Sequence, residues 1–154
     1  MKQIADLVSP GNIVADIGTD HGHVPIYLLQ NNICPKVYAM DLSRNSLNKA
    51  IKSAGRFGLT GRMECRLSDG LEKLSPGEAR TIIISGMGGI LMTRILSARP
   101  DVVSGVEELI LSPHRDAALV REFLENNNFR IIFDDVIRDK KKEYVILKAI
   151  NKSG

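Results

Sequence analysis

Five strand-like runs in this chain, the first and fourth of them apolar and β-branched, each end in a polar or glycine-rich loop. They are Ile13–Ile17, Lys36–Met40, Met63–Leu67, Thr81–Ile84 and Leu109–Leu111. Near-continuous apolar strands are those covered on both faces, and helical patterns between them supply crossover connections. Together they predict an α/β fold with a mostly parallel sheet and helices on both faces.

The helical patterns are clear. Ile4, Leu7 and Val8 predict a short leading helix over one edge of the sheet, broken by Ser9-Pro10-Gly11-Asn12. Ile26, Leu28 and Leu29 follow Pro25, which a first helical turn tolerates. Ser43 is a good N-cap for a helix presenting Leu47, Ala50, Ile51 and Ala54 on one face. Two more helices are expected, from about Ile90 to Ala98 and around Ala117, Val120 and Leu124, with Leu119 and Phe123 beside the latter. Arg130–Ile137 and Tyr144–Ile150 are separated only by residues 138–143, too few for a crossover helix, so they predict an antiparallel hairpin and bring the strands to seven.

Composition narrows the class. With 44% hydrophobic and 25% charged residues the chain reads as a single soluble domain over 1–154, and its formal charge of +3 neither demands nor excludes a polyanionic partner. Cys34 and Cys65 form no metal-type pair, and no apolar run reaches the ~18–20 residues of a membrane span. The expectation is a cytoplasmic monomer.

In such a sheet a ligand lies beyond the carboxyl ends of the strands, where the strand order reverses. The candidates are therefore Asp16–His23, Asp41, Asp69, Ser85–Gly89 and Ser112–His114. Asp41 follows Gly22 by 19 residues, close to the ~20 at which a strand-end acid accepts ribose hydroxyls. Its alternative role is capping the next helix. Asp69 either accepts from an adenine amino group or marks an Asp-Gly turn. Asp16 either acts with Asp20 on the ligand or fixes its own turn. Gly86, Gly88 and Gly89 admit either a ligand or close helix packing, and Met87 either covers a cofactor or fills the core.

The first loop, Gly18-Thr19-Asp20-His21-Gly22, departs from the G-x-G-x-x-G dinucleotide pattern. Asp20 stands where a second glycine would be. It would repel a pyrophosphate and suit the cationic amino group or sulfonium of S-adenosylmethionine. Charge sign therefore disfavours an NAD enzyme. No G-x-S-x-G elbow occurs, so Ser85 and Ser112 are not hydrolase nucleophiles. His21, His23 and His114 lie on ligand-end loops, but the first two are expected to point apart and no Cys or Glu completes a metal set. Stacking on a base or bonding its edge suits these rings better. Lys140-Lys141-Lys142 reads as a solvated hairpin tip able to touch phosphate, as could Arg62, Arg66, Arg94 and Arg115.

The Asp16-Ile-Gly-Thr-Asp-His21 run, the Ile-Ser-Gly86-Met87-Gly88-Gly89 loop and the Glu143-Tyr144 strand together resemble the bacterial tRNA adenine-N1 methyltransferases that modify adenine 22. The resemblance implies a Rossmann-like class I methyltransferase sheet with the seventh strand antiparallel beside the fifth. It implies S-adenosyl-L-methionine as donor, S-adenosyl-L-homocysteine as product and tRNA as partner. The implied cofactor site comprises Asp16, Ile17, Gly18, Asp20, His21, Asp41, Leu42, Ser68, Asp69, Gly70, Ser85, Gly86, Met87 and Gly88. Asp20, His23, Ser112 and His114 are the substrate-side candidates. His23 stands where the family usually has tyrosine, and Ser112-Pro113-His114 where it has Gln-Pro-Asn. The family also appends a helical C-terminal domain, whereas this sequence ends at Gly154. A methyltransferase of small molecules or proteins, or a non-catalytic binding module, is the alternative.

Overall fold

The computed structural model describes residues 2–154. In chain order the elements are α1 (Lys2–Ala5), β1 (Val14–Ile17), α2 (His23–Gln30), β2 (Val37–Asp41), α3 (Arg44–Arg56), β3 (Met63–Leu67) and β4 (Thr81–Met87). Then come α4 (Gly89–Ser97), α5 (Pro100–Val103), β5 (Glu108–Pro113), α6 (Ala117–Asn126), β6 (Phe129–Asp139) and β7 (Lys142–Asn151). All seven strands share one sheet in the order β3-β2-β1-β4-β5-β7-β6. The first five pair in parallel, and β7 inserts antiparallel between β5 and β6. This is the Rossmann-like arrangement expected from the sequence. The order reverses between β1 and β4, so the crevice opens above those two strands.

Side-chain alternation sorts the core into two layers. Ala15, Ile17, Tyr38, Met40, Ile82, Ile84, Leu109, Leu111 and Leu147 pack on the face of α4, α5 and α6. Val14, Val37, Ala39, Ile83, Ile110 and Ile146 pack on the face of α1, α2 and α3. Burying each large aliphatic side chain contributes about 1.5–3 kcal/mol, which is why these strands tolerate almost no polar residue short of their ends.

The structure corrects several expectations. The leading helix does not cover a sheet edge. Ile4, Ala5 and Val8 pack with Ile26, Ile83, Ile110 and Ile146 on a face. The connections from β5 to β7 place their helix, α6, on the opposite face, so α1 fills the strip beside α2. It is tied there through the buried Glu108, which accepts from Ser9 N (2.8 Å), Ser9 Oγ (2.6 Å) and Thr81 Oγ1 (2.8 Å). Lys148 Nζ lies 3.4 Å from that carboxylate and donates to the Leu7 carbonyl at 2.6 Å.

Ile51 on α3 is half exposed rather than core, as is Leu119 on α6. The loop expected at Ser85–Gly89 begins later, because β4 runs on to Met87 with a register shift between Ser85 and Met87. Arg99-Pro100 ends α4 but also starts α5, with proline in its first turn. The connection expected over 138–143 shrinks to Lys140-Lys141, since both hairpin strands extend and Lys140 takes a positive φ of 58°.

Candidate active site

A cavity of about 310 Å³ opens where β1, β4 and β5 end. Asp16, Gly18, Thr19 and Asp20 line it from β1 and its loop, His23 and Val24 from α2, Ser85 and Gly86 from β4, and Ser112 and His114 from β5. Gln3 and Ile4 of α1 and Ile137, Tyr144 and Ile146 of the hairpin complete the wall.

The first loop is pinned to β2. Gly18 N and Thr19 N both donate to the Met40 carbonyl, at 2.8 and 3.0 Å. Asp20 N donates to Asp41 Oδ2 at 2.9 Å, and Ser43 N donates to Asp41 Oδ1 at 2.9 Å. Ser43 itself caps α3 by accepting from Ser46 N. Asp41 thus braces the loop and the helix start, and each of its oxygens retains a lone pair for a further donor.

Two features of this loop need glycine at Gly18. Its φ is +74°, and a Cβ there would lie 2.7 Å from Met87 Cε, so Met87 covers it closely. Asp20 also takes a positive φ, of 58°, leaving its carboxylate 72% exposed and 3.5 Å from His21 Nε2.

Asp16 differs sharply from Asp20. It is buried and accepts from Thr19 Oγ1 at 2.8 Å. Burial pushes its carboxyl up to about 7, with Asp41's charge adding to the rise and the Thr19 bond opposing it. A turn-fixing acceptor is expected to bond loop N–H groups, but those of Gly18, Thr19 and Asp20 go to Met40 and Asp41, and Asp16 holds the turn through the Thr19 hydroxyl instead.

His21 and His23 do not point apart. Gly22, at φ +79°, turns the chain into α2 and brings the ring centroids to 5.8 Å at a 55° tilt. Among the described residues no group of three His, Cys, Asp or Glu side chains is placed to hold a metal. Ser112 Oγ donates to the Val145 carbonyl at 2.8 Å, anchoring β7 instead of leaving its proton for a substrate.

Other expected residues lie apart from the cavity. Asp69 and Gly70 line a separate hollow of about 340 Å³ with Leu71, Leu91, Arg94, Ile95 and Arg99. Ser68 Oγ donates to Gly70 O and accepts from Lys73 N, so it holds the turn. Ile17 is core, and Leu42 projects beside Asp41 with 69% exposure. A Cβ on Gly88 would press on the Arg115 side chain, and one on Gly89 would collide with the Asp116 carbonyl oxygen. Close packing of α4 against the β5–α6 connection explains Gly88 and Gly89. Arg62 braces the Leu29 and Cys34 carbonyls and Arg66 pairs with Glu78, so neither is a free phosphate ligand.

Sequence reasoning missed Gln3, Ile4, Ile137 and Ile146, and gave Tyr144 no site role. The alternation Lys142, Tyr144, Ile146 along β7 was the available signal for the last two.

Residues 1–147 match the model of the methyltransferase domain family. The chain belongs to that family. This methyltransferase domain is 33% identical over 97% of its length to the tRNA (adenine(22)-N(1))-methyltransferase of Bacillus subtilis (strain 168), and covers 63% of that relative. It superposes on the crystal structure of the B. subtilis m1A22 tRNA methyltransferase TrmK with a TM-score of 0.93 at 33% identity, over 97% of this chain and 64% of that one. M. capricolum TrmK, solved with S-adenosyl-homocysteine, gives a TM-score of 0.89 at 30% identity, over 97% of this chain and 66% of that one. The resemblance read from the motifs is thus matched across nearly the whole methyltransferase domain, which spans about two thirds of the length of these relatives.

Proposed function

We propose that this domain is an S-adenosyl-L-methionine-dependent methyltransferase acting on N1 of an adenine in tRNA, at position 22. The observation that carries the cofactor half is the bond from Asp20 N to Asp41 Oδ2 beneath the Gly18 loop. It ties the Asp20 loop after β1 to Asp41 at the end of β2, so that one carboxylate is set to accept ribose hydroxyls and the other lines the cavity that would receive a cationic amino acid. The residues fit such a group. Gly18 under Met87 offers backbone close to the ligand, Leu42 offers an apolar seat beside Asp41, and Asp16 and Asp20 offer negative charge.

Bound there, S-adenosylmethionine supplies an electrophilic methyl group on a sulfonium, and adenine N1, with its in-plane lone pair, needs no prior deprotonation to accept it. The chain's own contribution is positioning and exclusion of water. Asp41 and the Gly18 loop orient the nucleoside. Asp16 and Asp20 attract the amino group. His23 and His114, at the cavity wall, are placed to meet the edge or face of an inserted base. The similarity to the tRNA (adenine(22)-N(1))-methyltransferase of B. subtilis supports the tRNA half of the reading.

Incubation with labelled S-adenosylmethionine and bulk bacterial tRNA, followed by nucleoside analysis, tests both halves. The expected product is 1-methyladenosine. Cofactor binding with label in protein or small molecules instead would overturn the tRNA assignment. No affinity for S-adenosylhomocysteine would overturn the whole reading.

A further inference from the structure

We propose that the β6–β7 hairpin is an RNA-gripping arm. In it Lys140, Lys141 and Lys142 contact phosphates flanking the target base, and Tyr144 stacks on that base in the cavity. The inference rests on the reading of the domain as a tRNA methyltransferase.

Register places the arm. β5 pairs with β7 only as far as Leu111 opposite Leu147, whereas β6 and β7 stay paired to Asp139 opposite Lys142. Because β7 is antiparallel, Ile146 and Val145 still lie beside Ser112 and Pro113, and residues 142–144 overhang the carboxyl end of β5, the end that bears the cavity. At ~3.4 Å per residue this is a projection of about 10 Å. The Ser112 Oγ bond to the Val145 carbonyl fixes its root.

Alternation along β7 then puts Ile146, Tyr144 and Lys142 on one face. Ile146 is 3% exposed in the core, Tyr144 is 37% exposed at the cavity wall, and Lys142 is exposed at the tip. Ile137, directly opposite Tyr144 in register, lines the same wall. One face of one strand thus grades from apolar to aromatic to cationic. That order suits a nucleotide whose base enters the cavity while its backbone stays outside.

Charge is concentrated in the same place. Residues 138–144 hold four cations and two acids, a net +2 of the chain's +3. Arg138 Nη2 takes up Glu143 Oε1 at 2.6 Å across the strands. The three lysines are exposed and none is paired with a described carboxylate. A projecting set of three exposed lysines beside a base-sized cavity fits a polyanion better than an isolated anion.

The test uses the 154-residue chain, bulk bacterial tRNA and a titration between about 50 and 200 mM salt. The triple variant Lys140→Gln, Lys141→Gln, Lys142→Gln should make the log–log salt slope shallower by about 2–3. Its affinity for S-adenosylhomocysteine should be unchanged. Tyr144→Ala should weaken tRNA binding by about 5- to 100-fold with the slope unchanged, because stacking releases no counterions, and Tyr144→Phe should restore it. An unaltered slope in the triple variant, with tRNA still bound and methylated, overturns the arm and leaves the tRNA reading standing. Absence of tRNA binding by the parent chain overturns both. Lysine-dependent binding to anionic vesicles without tRNA binding would reassign the arm to a membrane surface.

Discussion

At the β1–β2 end of the crevice, carboxylates are held by the fold itself. Asp16 is buried under a hydroxyl bond, Asp41 takes two backbone amides, and Asp20 sits on a loop whose preceding amides are tied to Met40. At the hairpin end, cations project from a two-stranded arm whose root is held by the Ser112 Oγ bond to the Val145 carbonyl and the Arg121–Asp134 pair. The formal charge of +3 conceals this division. A site for a small cationic ligand needs fixed geometry, since its few contacts must all be met at once. A grip on a polyanion needs only charge and reach, because many phosphates can satisfy it.

Breaking the rigid end should have the largest effect. Asp41→Ala removes the acceptor for both Asp20 N and Ser43 N, and hydrogen bonds to a charged group are each worth about 1.5–3 kcal/mol. Affinity for S-adenosylhomocysteine should fall about 100-fold by calorimetry, while the salt slope for tRNA stays as it was. Retained affinity would remove Asp41 from the ribose role.

Gly18→Ala should cost less, about 1–2 kcal/mol of stability for the left-handed backbone, with up to about tenfold weaker S-adenosylhomocysteine binding. The new methyl group would also meet Met87 Cε. Since that atom is the end of a flexible side chain, Gly18→Ala combined with Met87→Ala should recover part of the thermal stability. No recovery would mean that the backbone conformation alone demands glycine.

Asp16 separates burial from charge. Its folded pKa, about 7, lies above the ordinary 3.8. Its contribution to stability is therefore full below the ordinary value and is lost as pH rises through about 7. A cationic amino group beside it favours the ionised form, so affinity for S-adenosylhomocysteine should rise between pH 6 and 8, by about tenfold at most. The ratio of parent to Asp16→Asn cancels the ligand's own titration. That ratio should climb with pH, and Asp16→Asn should be the more stable protein at pH 8. A flat ratio would place the amino group away from Asp16.

What could be read in the sequence follows the same division. The parallel strands, the Ser43 cap and the antiparallel closing hairpin were legible because local chemistry and periodicity agree with the tertiary structure there. The role of α1 was not, because which face a short amphipathic turn covers depends on which face the later helices leave open. Gly88 and Gly89 suit a ligand or close helix packing equally in sequence, and only the approach of Arg115 and Asp116, distant along the chain, decides for packing. Gly22 had the same effect on the two histidines: a left-handed residue reverses an expectation drawn from extended chain. Ser112 reads as a substrate-side candidate in sequence, and its hydroxyl is instead engaged by the Val145 carbonyl of β7, which comes from the end of the chain.

The smallest effect belongs to the arm's own ion pair. Arg138 and Glu143 meet at 2.6 Å, but their side chains are 75% and 58% exposed, so solvent screens them and the pair is worth well under about 1 kcal/mol. Glu143→Gln should therefore leave the melting temperature almost unmoved. It also removes a negative charge from the cationic tip and frees Arg138, so tRNA affinity at low salt should rise a few-fold and the salt slope should steepen by up to about 1. At high salt the variant and parent should converge. Binding that weakens instead would mean that Glu143 shapes the arm rather than offsetting its charge, and the two ends of the crevice would then both depend on fixed geometry.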